Sequence, residues 1–212
     1  MKILALELST MRGSLAWLDD HAEVVREWAN DRKNSSSLFE NLNAITKKLG
    51  APETIIVGLG PGSYAGTRIA ISAAIGLRIP SQSHLIGFPS ICSIECDVEE
   101  YCVIGDARRK SFFFARIRAN NLVEGPTLFL EFNLRKKLDA IKVGMPVFTS
   151  DSLPQFARAE VRFPSALVLA RLACEPHRSF SLPPLEPIYL REPHITIPTR
   201  GIGILADKET SS

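Results

Sequence analysis

The sequence predicts an α/β protein of two lobes, each a mixed, five-stranded-type sheet flanked by helices. Three observations carry that expectation. Three short β runs fill the first thirty residues, the period then turns helical near residue 37, and a looser round of the same order follows residue 100. At 212 residues the chain is long enough for two small lobes, each with its own core.

The elements follow in order. Residues 2–8 form a buried-strand run interrupted by one carboxylate, Glu7. Residues 14–18 read as the returning strand and residues 23–29 as a third, which together make an antiparallel meander. Ser37 and Glu40 have capping-box spacing, and Leu38, Leu42, Ile45 and Leu49 make one helical stripe, ended by Gly50 and Pro52. Thr54–Gly58 is a short β run, residues 64–79 a helix stopped by Pro80, and residues 85–87 a strand before a short helix over 90–96. In the second round, strands are expected near 101–106, 111–118 and 127–132, and a helix from about Asn133. Further strands are expected at 146–149 and 161–163, and a last helix at 165–174. The expected organisation is a first lobe over 1–100, a smaller second lobe over 101–191 and an extended tail over 192–212. No sequence repeat is visible, so a duplication rests on element order alone.

Charge and cysteine content narrow the function classes. Twenty-five basic against 23 acidic residues give a net charge of +2, which is no electrostatic footprint for gripping RNA. Cys92, Cys96, Cys102 and Cys174 contain no C-x-x-C pair and read as buried or inert thiols. The opening apolar run is too short for a signal peptide or a bilayer span, so a cytoplasmic protein is expected.

The stretch from Gly58 to Arg68, GLGPGSYAGTR, is the most distinctive. A glycine-rich turn between strand and helix can bind an anion at free amides, which makes Gly60, Gly62, Ser63 and Gly66 candidate anion contacts. It matches neither the P-loop nor the dinucleotide fingerprint, so a tight turn that lets helix and strand pack closely is the stronger reading from residues alone. The helix behind it carries one stripe of Gly66, Ala70, Ala73 and Leu77 and another of Ile71, Ile75 and Ile79, a pattern of cover on two sides. Burial under the chain's own first helix and a helix-bundle interface with a second subunit both fit.

The element order resembles the half-domain of the actin-like ATPase (ASKHA) superfamily, related to the ribonuclease H fold. Residues 60–69, GPGSYAGTRI, resemble the G-P-G-S-F-T-G-V-R-I segment of the TsaB (YeaZ) family, formerly called glycoproteases. Residues 3–10, 14–18, 105–115 and 187–191 are similar to further family segments in the same order. Among them, Asp106 and Arg108 fall in its D-A-R strand turn.

The resemblance implies a non-catalytic partner of a TsaD-type subunit, within the complex that transfers a threonylcarbamoyl group to adenosine 37 of tRNA. It implies pairing through Leu38, Leu42 and Ile45 of the first helix and Ala70, Ala73, Ala74 and Leu77 of the second. Such an interface would bury on the order of 1,600 Å². ATP and a metal would belong to the partner, with nucleotide at a shared interface, a TsaE-type ATPase in the larger complex and tRNA engaged indirectly.

The chain departs from the family pattern at several positions. Glu7 replaces the usual Asp, Leu8 a hydroxyl residue, and residues 34–37 (NSSS) a His. Histidines at 21, 84, 177 and 194 form no H-x-x-x-H pair, so no intrinsic cofactor or metal is expected. Asp106 and Arg108 read as an ion pair bridging the lobes, with catalysis the weaker alternative. A protease is disfavoured, because H-E-x-x-H and G-x-S-x-G are both missing. The remaining rivals are a homodimeric interaction protein and a degenerate ATPase or sugar-kinase relative. The second rival lacks a second glycine-rich loop, since Gly144 is the only glycine from 126 to 200.

Overall fold

A computed structural model describes residues 1–30 and 36–191. The expected tail over 192–212 and the segment around Asn34 lie outside the described residues. The first sheet is built from β1 (Ile3–Glu7), β2 (Arg12–Leu18), β3 (Glu23–Ala29), β4 (Thr54–Gly58) and β5 (His84–Phe88), in the order β3-β2-β1-β4-β5. The β1–β2 and β2–β3 pairs are antiparallel, while β1–β4 and β4–β5 are parallel. The second sheet holds β6 (Glu100–Asp106), β7 (Ser111–Arg118), β8 (Asn121–Leu130), β9 (Val147–Thr149) and β10 (Ala159–Val161). Its order, β8-β7-β6-β9-β10, repeats the first strand for strand, with the same parallel and antiparallel pairs. The duplicated five-stranded lobe is therefore present in topology although no repeat is legible in sequence.

The apolar run of β1 has a simple cause. Leu4, Leu6 and Leu8 join one core with Trp17, Val57 and the inner faces of α1 (Ser36–Leu49) and α2 (Tyr64–Ser81). Ile3 and Ala5 face the other way, into a core shared with Tyr101, Val103 and Phe113 of the second sheet. A central strand covered on both faces has no reason to alternate. The cover on that second face comes from α4 (Ala166–Leu172), which packs on β1, β2 and β4 although it follows the last strand of the second sheet. Residues 181–190 also return to the first lobe. Ser181 and Gly87 exchange backbone hydrogen bonds at 2.9 Å, Leu185 enters the first core, and the Ile188 amide donates to the Leu59 carbonyl at 2.8 Å.

Several expectations need correction. Pro80 does not stop α2, which runs to Ser81 and ends where Gln82 turns left-handed at φ 53°. The hydrogen bond Pro80 cannot make falls near the C-terminal end of the helix, at exposed Gly76. The first helix starts at Ser36, so Ser37 lies inside it and is not the cap. The short helix expected over 90–96 is a single 3-10 turn, Ser90–Cys92. The strand expected at 127–132 starts at Asn121, behind a tight turn with Ala119 and Asn120 both at positive φ. Gly125-Pro126 breaks the pattern there, yet Pro is tolerated because β8 is an edge strand with an irregular register at that point. The helix α3 (Glu131–Ala140) starts two residues before Asn133, and a loop connects β9 to β10. The run expected as a strand at 161–163 pairs instead over Ala159–Val161.

Because α4 joins the lobes, the two halves should unfold as one unit. Leu169→Ala removes a fully buried side chain from the shared core. The expected cost is about 2–5 kcal/mol, with a single transition retained in urea whether followed by tryptophan fluorescence, which reports the first lobe, or by circular dichroism.

Candidate functional site

The loop after β4 is held against the end of β1. The Ser63 amide donates to the Ser9 carbonyl at 2.6 Å, and the Gly60 amide to Ser90 Oγ at 2.8 Å. Ser63 caps α2, its Oγ accepting from the Gly66 amide at 3.3 Å. A Cβ at Gly62 would stand 2.1 Å from the Ser9 carbonyl oxygen, and one at Gly66 would stand 2.1 Å from that of Leu8. The glycines thus serve a close approach of loop, helix and strand. Of the anion contacts expected here, the amides of Gly60, Ser63 and Gly66 are already engaged within the protein.

Glu7 lies beneath the same loop, where a Cβ at Gly58 would sit 1.8 Å from its Oε2. Its Oε1 accepts from the Ser9 amide at 2.7 Å. The Ser90 hydroxyl lies beside the second carboxyl oxygen, but Oε2 has no well-formed hydrogen bond among the described residues. Burial raises the Glu7 carboxyl above the ordinary range, opposed by the bonds from Ser9 and Ser90.

Asp106 occupies the matching position at the end of β6, and its environment is different. It faces a cleft of about 490 Å³ between the lobes, walled by Ser9, Thr10 and Tyr64 on one side and Asp106, Arg108 and Asp151 on the other. The Asp106 amide donates to Asp151 Oδ2 at 2.8 Å, and the Asp106–Arg108 ion pair closes at 3.1 Å. That pair does not bridge the lobes as expected. The strand ends at Asp106, and Arg108, Arg109 and Lys110 turn at φ 64°, 52° and 58°, so the pair is local to the β6–β7 turn. Arg191, at the end of the returning segment, donates to the Arg108 carbonyl at 3.4 Å. Tyr189 packs against Tyr64 with the rings tilted (ring centres 5.6 Å apart), and the Arg68 guanidinium lies 5.1 Å above the Tyr64 ring.

On the opposite face of the first sheet, α1 and α2 leave an apolar groove between them. Leu42, Ala73 and Leu77, three of the seven expected interface residues, line it together with Phe39, Ile69 and Gly76. The other four, Leu38, Ile45, Ala70 and Ala74, are buried in the chain's own core. The small-residue helix is thus buried in the chain's own core along one face and open to the groove along another. Beside the groove, Phe39 is 50% exposed, Ile75 46% and Ile79 77%. Sequence reasoning did not single out Phe39 or Asp151, and it took in Tyr189 and Arg191 only as part of the family-like segment 187–191; nothing in their local spacing marks a role, because each reaches its place by long-range packing.

The thiols divide. Burial pushes Cys92 up to about 12 and Cys102 up to about 11, as inert groups should behave. Cys174, expected among the buried or inert thiols, is exposed. No helix among the described residues is long and apolar enough to cross a membrane.

Comparison with known proteins fits the architecture. No protein-family model matches the chain. An uncharacterized protein of Mycobacterium leprae (strain TN) is 26% identical over 147 residues, which cover 66% of this chain but only 38% of that protein. Among solved structures, an uncharacterized Pseudomonas aeruginosa protein with similarity to peptidase YeaZ aligns with a TM-score of 0.71 and 18% identity, covering 90% of this chain and 99% of that one. YeaZ from Pseudomonas aeruginosa aligns at 0.65 and 19% identity, over 81% and 90% of the two chains. The chain has the YeaZ fold.

The buried carboxyl makes stability depend on pH with a definite sign. A raised native pKa means the folded protein keeps a proton that the unfolded chain has released. Stability is then full below the ordinary carboxylate range and is lost as pH rises through the native Glu7 value. Glu7→Gln should melt higher than wild type at pH 8, by at least about 2 °C if the gain reaches 1 kcal/mol. Thermal scans from pH 4 to 8 should show the difference closing at the acid end.

Proposed function

We propose that this protein is a TsaB-type, non-catalytic partner subunit in the threonylcarbamoylation of tRNA adenosine, docking a TsaD-type catalytic subunit in the groove between α1 and α2. The observation that carries the reading is the groove itself: an open apolar channel on the YeaZ fold, flanked by exposed Phe39, Ile75 and Ile79. Contiguous apolar surface of this kind marks a protein interaction site. Gly76 and Ala73 leave room for a partner helix to approach the backbone of α2 closely. In this reading the partner supplies the nucleotide and metal chemistry, a TsaE-type ATPase joins the larger complex, and tRNA is met through the assembly. The placement of Glu7 agrees with a non-catalytic role, since a carboxyl sealed beneath the loop cannot organise a hydrated ion in the cleft.

A homodimer is the second reading, because the same exposed face could cover itself. Co-expression with the organism's TsaD-type protein, followed by size-exclusion chromatography with light scattering, separates the two. Wild type is expected to form a one-to-one heterodimer. Ala73→Glu, which fills the groove with a charge, and Ile79→Glu, on a side chain exposed enough to spare the fold, should weaken it at least about tenfold. A homodimer that persists beside unbound TsaD-type protein would overturn the docking reading.

A further inference from the structure

We propose that the interlobe cleft binds a small zwitterion of the amino-acid or dipeptide class. The argument starts from charges left unmatched in one cavity. Within the cleft, Asp106 and Arg108 neutralise each other at 3.1 Å. Asp151 accepts only a backbone N–H, from Asp106 at 2.8 Å, and has no cation partner among the described residues. Arg191 donates only to a backbone carbonyl, that of Arg108 at 3.4 Å, and meets no carboxylate among the described residues. Among the described residues, Asp151 and Arg191 thus border the same space with neither in an ion pair.

The remaining walls add two requirements. Leu59, Ile91, Val103 and Phe113 give the cavity an apolar lining. Ser9, 1% exposed, also borders the cleft, and its Oγ, beside the Glu7 carboxyl, makes no well-formed hydrogen bond among the described residues. A ligand that satisfies all of this carries an ammonium for Asp151, a carboxylate for Arg191, an apolar side chain and a polar group for Ser9. The cleft, about 490 Å³, lies in the size range of small-molecule sites, about 300–1,000 Å³. A polyphosphate fits poorly, because Asp106 and Asp151 repel it and the amides of Gly60, Ser63 and Gly66 are engaged elsewhere. A wholly apolar ligand would leave Asp151 unsatisfied.

Isothermal titration calorimetry on the full chain, without any partner, tests the site. The probes are L-leucine, L-leucyl-glycine, N-acetyl-L-leucine, L-leucinamide and AMP, each to ~10 mM. Saturable binding of leucine or leucyl-glycine is expected, with N-acetyl-leucine and leucinamide each at least about tenfold weaker. Asp151→Asn, which keeps an acceptor for the Asp106 amide, should weaken the zwitterions but not N-acetyl-leucine. Arg191→Gln, on an exposed side chain, should weaken them but not leucinamide. Absence of binding by both zwitterions, tighter binding of AMP, or affinities unmoved by both substitutions would each overturn the proposal. Because the readout is made on the isolated chain, its failure leaves the docking reading untouched.

Discussion

The structure depends on one close approach, that of the loop after β4 to the end of β1. The Leu8 and Ser9 carbonyls occupy the space where side chains at positions 66 and 62 would stand. Glycine there lets α2 begin almost on top of the strand, and the Ser63 amide and the Ser63 cap then fix its direction. From that starting point α2 can bury Ala70 and Ala74 on the sheet while presenting Ala73, Gly76 and Leu77 to the groove. The same approach seals Glu7 away from the cleft and brings Ser9 to the cleft wall. Groove, buried carboxyl and cleft are three consequences of one packing constraint.

The two sheets show how a duplicated topology diverges. Strand order and pairing are the same in both, and a carboxylate ends each central strand. In the first lobe that carboxylate is covered by a glycine loop and driven toward its neutral form. In the second, where a loop replaces the helix between β9 and β10, the carboxylate stays at the cleft and pairs with Arg108. An exposed pair of this kind contributes only about 0–1 kcal/mol, so its place is better explained by the turn it shapes than by stability. The lobes are instead tied by apolar packing, through α4 and the returning segment that carries Leu185 and Ile188.

Legibility in the sequence followed locality. The strands β3 and β4 stand at the residues their β-rich runs indicate, because flanking turns bound them closely. The start of β8 was hidden because Gly125-Pro126 is a breaker in isolation, and only the edge position with its irregular register makes it tolerable. Pro80 misled for the opposite reason: a helix stop signal is tolerated near a helix end, where the residue whose carbonyl it leaves unpaired is exposed. At the candidate site, the glycine loop was visible and its close-packing role readable. The groove was half visible, since a stripe of small residues does not say which members touch the sheet. Asp151 was invisible, and Arg191 was legible only as the end of the family-like segment 187–191, because each lies more than forty residues from the groups it meets.

The groove and the cleft are not independent surfaces. Arg68 borders the groove, lies over the Tyr64 ring and donates to its hydroxyl; Tyr64 in turn lines the cleft and packs against Tyr189 of the returning segment. A carboxylate on a docked helix that drew Arg68 away would remove that bond from Tyr64 and loosen one wall of the cleft. Such coupling is reciprocal: whatever occupies the cleft and holds Tyr64 in place also sets where Arg68 stands in the groove. A partner helix and a small ligand would then read each other through two side chains at the N-terminal end of α2, the end whose position the glycine loop determines.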